Sequence, residues 1–309
     1  MKKFFDVLFT VCLFGLLIFC FTYREDIAKK IMGTVSKYQS VTLPNDVSYH
    51  NDFNFKFVQE TNDFHAKNYQ GLLNIIYTVL NNGLSEFTFY CDMSYENCLN
   101  DFNNISKDQV LLSTINNMVS PYNSYEKIYF TIANYGKIDM KIDKLYSLED
   151  ISLTKNKINE IITNSINENM SVRDKIKAFH DYLINNTVYD KDRANNIENG
   201  KDDNYVYNSH KASGPLLEGY SLCSGYSDAM KIYLDMLNVP NYKISNTTHI
   251  WNLVYLDGQW LHLDLTWDDP ITNDGSNLLL HKFFLITTDE LNSLDSTSHS
   301  YNENYYLEI

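Results

Sequence analysis

The sequence predicts an α+β fold, and two neighbouring stretches in its C-terminal part indicate this class. Apolar side chains recur at three- and four-residue steps from Tyr226 to Leu237, which is the period of a helix packed on a core. Pro240 then ends that helix. Thr248 to Leu265 is rich in strand-forming residues and is divided by Asp257-Gly258, a strong signal for a hairpin turn. A helix followed by a hairpin predicts a helix packed on an antiparallel sheet.

Composition limits the classes of partner. The chain has 309 residues, of which 44% are hydrophobic and 21% charged, and these fractions are ordinary for a globular protein of one or two domains. Its net charge of −14 argues against a nucleic-acid partner, because such a partner needs a basic surface. The same charge argues against a broad electrostatic attachment to an anionic membrane surface.

Residues 1–24 are predicted to form a signal anchor or a signal peptide. Val7 to Thr22 carries no charge and spans about 24 Å as a helix, a little short of a hydrocarbon core of ~30 Å. The absence of an Ala-x-Ala cleavage pattern favours an uncleaved, single-pass membrane anchor over a secreted product. Lys2 and Lys3 favour a cytoplasmic N-terminus, so the remaining domains are expected to be extracytoplasmic. Residues 25–46 are interpreted as a juxtamembrane spacer.

A small α+β domain is predicted over residues 47–150. Its expected helices and strands follow the periods of 3.6 and 2 residues and lie at residues 53–59, 69–80, 86–91, 107–119, 127–133 and 137–144. The domain contains no recognisable catalytic set, so we expect it to act as a spacer or a recognition domain.

The five cysteines fall into three groups. Cys12 and Cys20 belong to the apolar N-terminal run, and Cys91 and Cys98 lie close together. Outside the cell the second pair is expected to form a local disulfide, whereas a metal site would need a second pair of His or Cys ligands nearby. Cys223 stands alone, and an isolated Cys with a distant His and Asp fits a nucleophile better than a disulfide.

The C-terminal domain is predicted over residues 151–309. Helices are expected from Leu148 to Asn169 and after the Ser171-Val172-Arg173-Asp174 start signal, and a strand from His281 to Thr287. Between them, Thr187 to Ser213 is polar and is interpreted as a long loop that borders a cleft. Tyr207 lies in this loop and is a candidate for substrate binding.

Cys223, His249 and Asp264 are the candidate catalytic residues. Cys223 precedes the predicted helix, where unpaired N–H groups and the positive end of the helix dipole favour a thiolate. If Asp257 and Gly258 form the turn, Leu256 lies opposite Gln259, and His249 shares a face with Asp264. The two residues are then diagonal neighbours, roughly 7 Å apart between backbones and within reach of a side-chain hydrogen bond.

Such a set has the nucleophile, base and orienting carboxylate of covalent acyl-transfer catalysis. Trp251 and His262 share the same predicted face of the hairpin, and they are the other candidates for substrate contact. The arrangement depends on parity, because a loop with one residue more or fewer would turn Asp264 away.

These residues resemble a known family, the bacterial transglutaminase-like proteins, which are relatives of papain-type cysteine peptidases. The resemblance extends from about Ser171 to the C-terminus and is carried by Cys223-Ser224-Gly225-Tyr226, His249-Ile250-Trp251-Asn252 and the His-x-Asp-x-Thr-Trp-Asp-Asp-Pro of His262 to Pro270. It implies a papain-like fold in which Cys223 is the nucleophile, His249 the base and Asp264 the orienting residue. One departure is Ser221, since many relatives have Gly two residues before the Cys.

The expected function is cysteine-dependent acyl transfer on protein or peptide amides, with no cofactor and no metal. Cross-linking, deamidation and peptide hydrolysis all stay open, because they differ only in whether an amine or water accepts the acyl group. One alternative is a zinc site formed by Cys223, His249, His262 and Asp264. The other alternative is a non-catalytic cell-surface binding or assembly module with the same fold. The oligomeric state is not predicted.

Overall fold

The structure, a computed structural model, describes residues 2–36, 58, 64–201, 205–271 and 278–306. Most of the strand predicted over residues 53–59 lies outside the described residues, as do residues 37–46 of the spacer predicted over residues 25–46.

Two helices form the N-terminal part, α1 (Lys2–Thr22) and α2 (Arg24–Ser36). Many apolar side chains of α1 are exposed, including Phe9, Leu16 and Phe21. Among the described residues, no helix by itself has both the length and the apolar composition needed to cross a membrane. The pair passes that test together, but it is bent by 74° at the break between the two helices.

The next part of the chain has one four-stranded sheet and three helices. The strands are β1 (His65–Ala66), β2 (Glu86–Cys91), β3 (Tyr125–Ile132) and β4 (Lys137–Lys144). They lie in the order β1-β2-β4-β3, with β1 parallel to β2 and the other pairs antiparallel. The helices are α3 (Tyr69–Asn81), α4 (Cys98–Ile105) and α5 (Gln109–Met118). All the elements predicted within the described residues of this part are confirmed, whereas β1 and α4 were not predicted.

The predicted disulfide between Cys91 and Cys98 is confirmed. It joins the end of β2 to the first residue of α4. Only seven positions separate the two cysteines, so the link is a local one.

Six α-helices follow in the described residues: α6 (Leu148–Ser165), α7 (Val172–Asn185), α8 (Lys191–Glu198), α9 (Cys223–Met236), α10 (Leu265–Asp268) and α11 (Thr288–Leu294). A capping box of Ser147 and Asp150 starts α6, and the Ser171 side chain caps α7 as its sequence predicts. The domain boundary predicted between residues 150 and 151 falls inside α6, and the division into domains stays a prediction.

The long loop predicted from Thr187 to Ser213 needs correction. This stretch contains a short strand, β5 (Val188–Tyr189), and helix α8. Asp190 caps α8 by accepting a hydrogen bond from the backbone N–H of Arg193. Only Arg193 of this helix is buried, so its sequence lacks the apolar stripe that would have predicted it. β5 pairs in parallel with β6 (Tyr220–Ser221), directly before α9.

The second four-stranded sheet carries the predicted hairpin. Its strands are β7 (Asn241–Ser245), β8 (Ile250–Leu256), β9 (Gln259–Leu263) and β10 (Phe284–Ile286), in the order β10-β9-β8-β7, with neighbours antiparallel. Leu256 lies opposite Gln259, which confirms the predicted register.

Two strand predictions were too long. The second hairpin strand ends at Leu263 rather than Leu265, because Asp264 caps α10 there. The strand expected from His281 to Thr287 is limited to Phe284–Ile286, since Thr287 begins the capping box of α11.

The second sheet is covered on both faces. Val254 and Leu261 pack with Met230 of α9 on one face. Trp251 and Leu253 belong to the same core cluster as the buried side chains of α3 to α5 on the other face. The sheet whose strands adjoin His249 and Asp264 is therefore held in place by both halves of the described chain.

Candidate active site

Cys223 is the first residue of α9. Leu222 before it is extended, and its backbone N–H donates to the carbonyl of Ser209 at 2.7 Å. The first N–H groups of a helix lack intrahelical acceptors, so the Cys223 thiol lies where the helix presents its positive end. The thiol is half-buried and is not in a disulfide. The structure thus places Cys223 as the sequence predicts.

Lack of space explains why glycine occupies position 225, the third position of the Cys-x-Gly-Tyr motif. A Cβ at this position would lie 2.3 Å from the carbonyl oxygen of Ser209 and 2.6 Å from Oγ of Ser221. No other residue fits so close to a backbone carbonyl without moving it. The next residue, Tyr226, is buried and donates its hydroxyl to Asp269. These contacts fix the start of α9 against the preceding segment and against the chain that follows Asp264.

His249 and Asp264 meet through their side chains. Nε2 of His249 lies 2.5 Å from Oδ2 of Asp264. His249 directly precedes β8, and its backbone N–H donates to the side chain of Asn246. The other oxygen of Asp264 accepts the backbone N–H groups of Thr266 at 2.9 Å and Trp267 at 3.3 Å. The hairpin therefore brings together the pair that its predicted register indicates.

The pKa of His249 depends on both Asp264 and Cys223. Burial alone would lower the pKa of His249, but the charge and hydrogen bond of Asp264 and the hydrogen bond to Cys223 outweigh burial and raise the pKa to about 10. Burial would raise the pKa of Asp264, but its interactions with His249 and His299 hold that pKa well below its usual range. Because Nε2 of His249 is occupied by Asp264, Nδ1 is the atom that faces Cys223.

Trp251 and His262 lie behind His249. The indole Nε1–H of Trp251 donates to Nδ1 of His262 at 3.0 Å, so Nε2 of His262 carries the proton and donates to Thr288 at 3.1 Å. Burial, together with the charge of His299, lowers the pKa of His262 to about 3. Both side chains are only 1% exposed. This burial removes them from substrate contact, so we interpret them as the neutral wall that supports His249.

The predicted zinc set is not assembled, because His262 uses both ring nitrogens elsewhere. Two other groups of described residues bring three ligand atoms within 4.8 Å of one another: His180 with Asp181 and His281, and His249 with Asp264 and His299. In each group the contacts between ring nitrogens and carboxylate oxygens lie between 2.5 and 3.0 Å. These are hydrogen-bond separations, so ring protons account for the contacts.

His180 is thus more than an ordinary helix residue. It is fully buried and lies 3.0 Å from Asp181 through Nδ1 and 3.3 Å from Asp268 through Nε2. Burial would lower the pKa of His180, but the two carboxylates outweigh burial and raise it. Because Asp268 ends α10, this contact ties α7 to the helix that Asp264 starts.

Two residues of the C-terminal segment belong to the site and were not predicted. Nε2 of His299 lies 2.8 Å from Oδ2 of Asp264, and Nδ1 lies 3.1 Å from Oδ2 of Asp295. The sequence around them is polar and matches no motif, and only the four-residue spacing of Asp295 and His299 connects them.

A cavity of about 340 Å³ includes Tyr189, Tyr207 and Tyr220 in its wall. Tyr189 pairs with Ser221 on the neighbouring strand, two residues before Cys223. Burial and then the charges of Cys223 and Asp264 raise the pKa of Tyr189 to about 12. Tyr207 stacks on Tyr220 with ring centroids 3.8 Å apart. The predicted substrate residue Tyr207 thus lines a cavity whose wall also contains Tyr189, which interacts electrostatically with Cys223 and was not predicted.

No protein-family model matches the chain, and no curated protein matches it. Among solved structures, the chain is similar to one described as a TGase, at 20% sequence identity and a TM-score of 0.36 over 46% of this chain and 44% of that one. It is also similar to a structure from Cytophaga hutchinsonii whose description proposes a cysteine protease, at 12% identity and a TM-score of 0.28. That match covers 50% of this chain and 65% of the other, so the chain spans less than two thirds of either structure.

Proposed function

We propose that the protein is a cysteine-dependent enzyme that transfers the acyl group of protein or peptide amides. One observation carries the proposal: a half-buried thiol at a helix N-terminus, an imidazole and a carboxylate come together from three separate elements. Nε2 of His249 lies 2.5 Å from Oδ2 of Asp264, and Cys223 is close enough to contribute to the raised pKa of His249. This is the arrangement that activates a thiol nucleophile.

The first half-reaction forms a thioester. The thiolate Sγ of Cys223 attacks the carbonyl carbon of the amide, and a carbon–sulfur bond forms while the carbonyl oxygen becomes an oxyanion. The backbone N–H of Cys223 has no intrahelical acceptor and is a donor for that oxygen. The oxyanion then collapses and the carbon–nitrogen bond breaks. His249 donates its Nδ1 proton to the departing nitrogen.

The second half-reaction releases the acyl group. His249, now neutral, accepts a proton from the incoming nucleophile through Nδ1. That nucleophile attacks the thioester carbonyl, the carbon–sulfur bond breaks, and the thiolate of Cys223 returns. An amine acceptor gives a cross-link, whereas water gives deamidation or peptide hydrolysis. Asp264 keeps the ring of His249 in position and stabilises its protonated form in both steps.

We place this activity outside the cytoplasm. The Cys91–Cys98 disulfide supports an oxidising compartment, and the exposed apolar side chains of α1 support an anchor or a signal peptide at the N-terminus. Alkaline extraction of membranes that contain the full chain, followed by N-terminal sequencing, tests this placement. Retention with an intact N-terminus indicates an anchor, and release of a shortened chain indicates cleavage. Recovery of an intact, reduced chain from the cytoplasm contradicts the proposal.

The test of the activity follows alkylation of Cys223 with iodoacetamide against pH by peptide mass mapping, in the full chain and in its His249→Ala variant. We expect Cys223 of the wild-type chain to be alkylated faster at neutral pH than the free Cys12 and Cys20, and the variant to lose this excess reactivity. A variant at the surface hairpin, Asp257→Asn, is the matched control and should behave as wild type. The full chain should also form a mass-shifted acyl adduct on Cys223 with activated amide or ester peptides.

An alternative result distinguishes the non-catalytic module. A thiol of ordinary pH dependence that does not respond to His249→Ala, together with no acyl adduct, would contradict the enzyme and leave a binding or assembly role.

A further inference from the structure

Three ligand groups outside the candidate triad converge between α7 and the chain that precedes β10. Nδ1 of His180 lies 3.0 Å from Oδ1 of Asp181, and Nε2 of His281 lies 2.7 Å from the same oxygen. The two imidazole rings are 5.3 Å apart between centroids and tilted by 31°. The three ligand atoms lie within 4.8 Å of one another. Two imidazole nitrogens and one carboxylate oxygen therefore surround a single small volume.

The spacing of these atoms is close to that of a metal site. Ring protons make the contacts in the chain without an ion, and a metal ion takes the place of the protons when it binds. Donor atoms about 2.0–2.1 Å from a tetrahedral ion are about 3.3 Å apart. The two nitrogen–oxygen distances have to lengthen by only about 0.3 and 0.6 Å to reach that value. The side chain of His281 is 35% exposed, so it has room for a change of this size.

A second carboxylate orients His180 from the other side of its ring. Nε2 of His180 lies 3.3 Å from Oδ2 of Asp268, and both side chains are fully buried. Oδ1 of Asp268 accepts the backbone N–H of Phe283 at 2.9 Å, which fixes this carboxylate in turn. Metal-binding histidines commonly contact a carboxylate through the ring nitrogen that does not hold the ion. His180 makes that contact independently of Asp181 and His281.

We propose that His180, Asp181 and His281 bind a divalent transition-metal ion such as Zn²⁺, with Asp268 as the residue that orients His180. Imidazole nitrogens with one carboxylate suit Zn²⁺ and related ions, whereas Mg²⁺ and Ca²⁺ prefer oxygen ligands. The exposed side of His281 leaves an entry path and room for water as a further ligand. The inference goes beyond the proposed function and does not depend on it.

The ion would connect parts of the chain that are distant in sequence. Asp181 and His281 are 100 positions apart. Through His180 the site also reaches Asp268, the last residue of the helix that Asp264 caps. Because the ligands come together only in the folded chain, a bound ion stabilises the fold.

Lys177 opposes the ion and so provides a test. Its Nζ lies 2.6 Å from Oδ2 of Asp181, one helical turn away on α7. This contact leaves Oδ1 to the two rings, but the ammonium charge repels a divalent cation. Lys177→Met removes the charge and keeps an unbranched side chain, so the variant should bind the ion about tenfold more tightly. Lys157→Met, which removes a lysine on α6 outside the cluster, is the matched control.

The experiment is calorimetric titration of the full chain with Zn²⁺ at neutral pH. Iodoacetamide first blocks Cys12, Cys20 and Cys223, the free cysteines of the described residues, so that thiolates do not bind the metal. We expect the wild-type chain to bind one equivalent of Zn²⁺ at micromolar concentrations and to melt at a higher temperature with Zn²⁺ than with Mg²⁺. Co²⁺ in the same site should give the visible absorption of an ion with nitrogen and oxygen ligands.

His281→Gln identifies the ligands. It removes the exposed imidazole and should weaken Zn²⁺ binding by at least about tenfold. His210→Gln, which removes a half-buried histidine that contacts Arg193 outside the cluster, is the matched control and should bind as wild type.

The outcomes that overturn the inference are specific to the metal. They are a wild-type chain without stoichiometric Zn²⁺ binding, binding that His281→Gln leaves unchanged, and a Lys177→Met chain that binds no more tightly than wild type. If His281→Gln does not fold, the wild-type titration and Lys177→Met still decide. The proposed function fails separately, when alkylation of Cys223 does not respond to His249→Ala, and that test needs no metal.

Discussion

Four donors hold the carboxylate of Asp264, and they come from three places in the sequence. Two are the imidazoles of His249 and His299, and two are backbone N–H groups at the start of α10. A buried carboxylate with this many donors has one orientation, because any rotation would leave a buried donor unpaired. Asp264 therefore has a fixed orientation, and it fixes the orientation of the His249 ring in turn. A catalytic base that must face both a thiol and a leaving nitrogen needs such a fixed orientation.

Gly225 provides the residue-scale prediction. Replacement by Ala puts a Cβ 2.3 Å from the carbonyl of Ser209, so the first turn of α9 must move. We expect Gly225→Ala to lower the free energy of unfolding by about 1–3 kcal/mol and to reduce Cys223 alkylation at neutral pH. Thermal unfolding and the alkylation rate measure the two effects.

The neighbouring residue gives the control. Ser224→Ala, in the same turn, adds no atoms and should change neither quantity by much. A Gly225→Ala chain as stable and as reactive as wild type would show that the first turn tolerates the displacement.

The candidate triad could be predicted from sequence because its signals are local. Cys223 stands at a helix start, and the turn at Asp257 sets a register that places His249 beside Asp264. His299 could not be predicted in this way. It contacts Asp264 from 35 positions away, through a segment with no period and no motif. Trp251 and His262 were placed on the correct face, but a single strand pattern does not tell a buried face from a cleft wall.

At the scale of elements, α9 is joined to the sheet by buried charges as well as by apolar contacts. Nζ of Lys243 on β7 lies 2.5 Å from Oδ1 of Asp228 on α9, and both side chains are at most 5% exposed. The second oxygen of Asp228 accepts the hydroxyl of Tyr146 at 2.7 Å, and that hydroxyl in turn accepts the N–H of Ala212. This network sets the angle of the helix that carries Cys223.

Breaking this pair should be costly. Lys243→Met leaves Asp228 as a buried carboxylate without its cation, and we expect a loss of about 3–5 kcal/mol in the free energy of unfolding, measured by urea denaturation. Lys157→Met is the matched control, because Lys157 pairs with Glu160 on the exposed face of α6 and should contribute less than about 1 kcal/mol. A similar small loss for both variants would contradict the structural role of the buried pair.

The presence or absence of an apolar pattern explains which helices and strands could be predicted from the sequence. Helices α3, α7 and α9 have apolar stripes, and each was predicted. Helix α8 buries only Arg193, and α10 is a single turn created by the cap of Asp264. Strand β7 follows α9 after only four residues and is too short to show a strong alternation. Their existence depends on tertiary contacts, which no local pattern contains.

At the scale of the whole molecule, the charged site predicts how stability changes with pH. Asp264, Asp295 and Asp181 all have lowered pKa values, each because interactions with neighbouring histidines or N–H groups outweigh burial. Their contribution is complete above the unfolded value of ~3.9 and is lost as pH falls through the folded values. The pKa of His249 is raised to about 10, so its contribution is complete below the unfolded value of ~6.5 and is lost as pH rises toward 10.

We therefore expect the melting temperature to be highest near pH 6.5 and to fall on both sides, because His262, whose pKa is lowered to about 3, also costs stability as pH falls below ~6.5. Differential scanning calorimetry across pH 3 to 10 measures the curve. His249→Ala should remove most of the decrease in melting temperature at alkaline pH. The decrease at acid pH should largely remain, although the contribution of Asp264 to it becomes smaller because Asp264 loses its hydrogen bond to His249. A melting temperature that rises steadily from pH 6.5 to 10 would contradict the protonated state of His249.

The two halves of the described chain also build a second cavity, of about 520 Å³, on the side of His249. Its wall combines Gln109 of α5 with Asn246 and Ser300, and Asn246 is the residue whose side chain holds the backbone of His249. Apart from Val110, the described lining residues carry hydroxyl, amide and tyrosine side chains, and none of them is charged, which suits the main chain of a peptide. This cavity favours recognition over a spacer role for the part of the chain before α6.

Filling the cavity should weaken substrate binding without touching the chemistry. We expect Gln109→Trp to raise KM for a long peptide substrate about tenfold, equivalent to roughly 1.4 kcal/mol, with kcat and Cys223 alkylation unchanged. Lys107→Trp, which adds the same side chain just before α5 and outside the cavity lining, is the matched control and should leave KM unchanged. A minimal amide substrate too short to reach the cavity should not distinguish the two variants. If Gln109→Trp lowers kcat for the minimal substrate as well, the cavity acts on the catalytic residues, and a binding role for α5 would have to be abandoned.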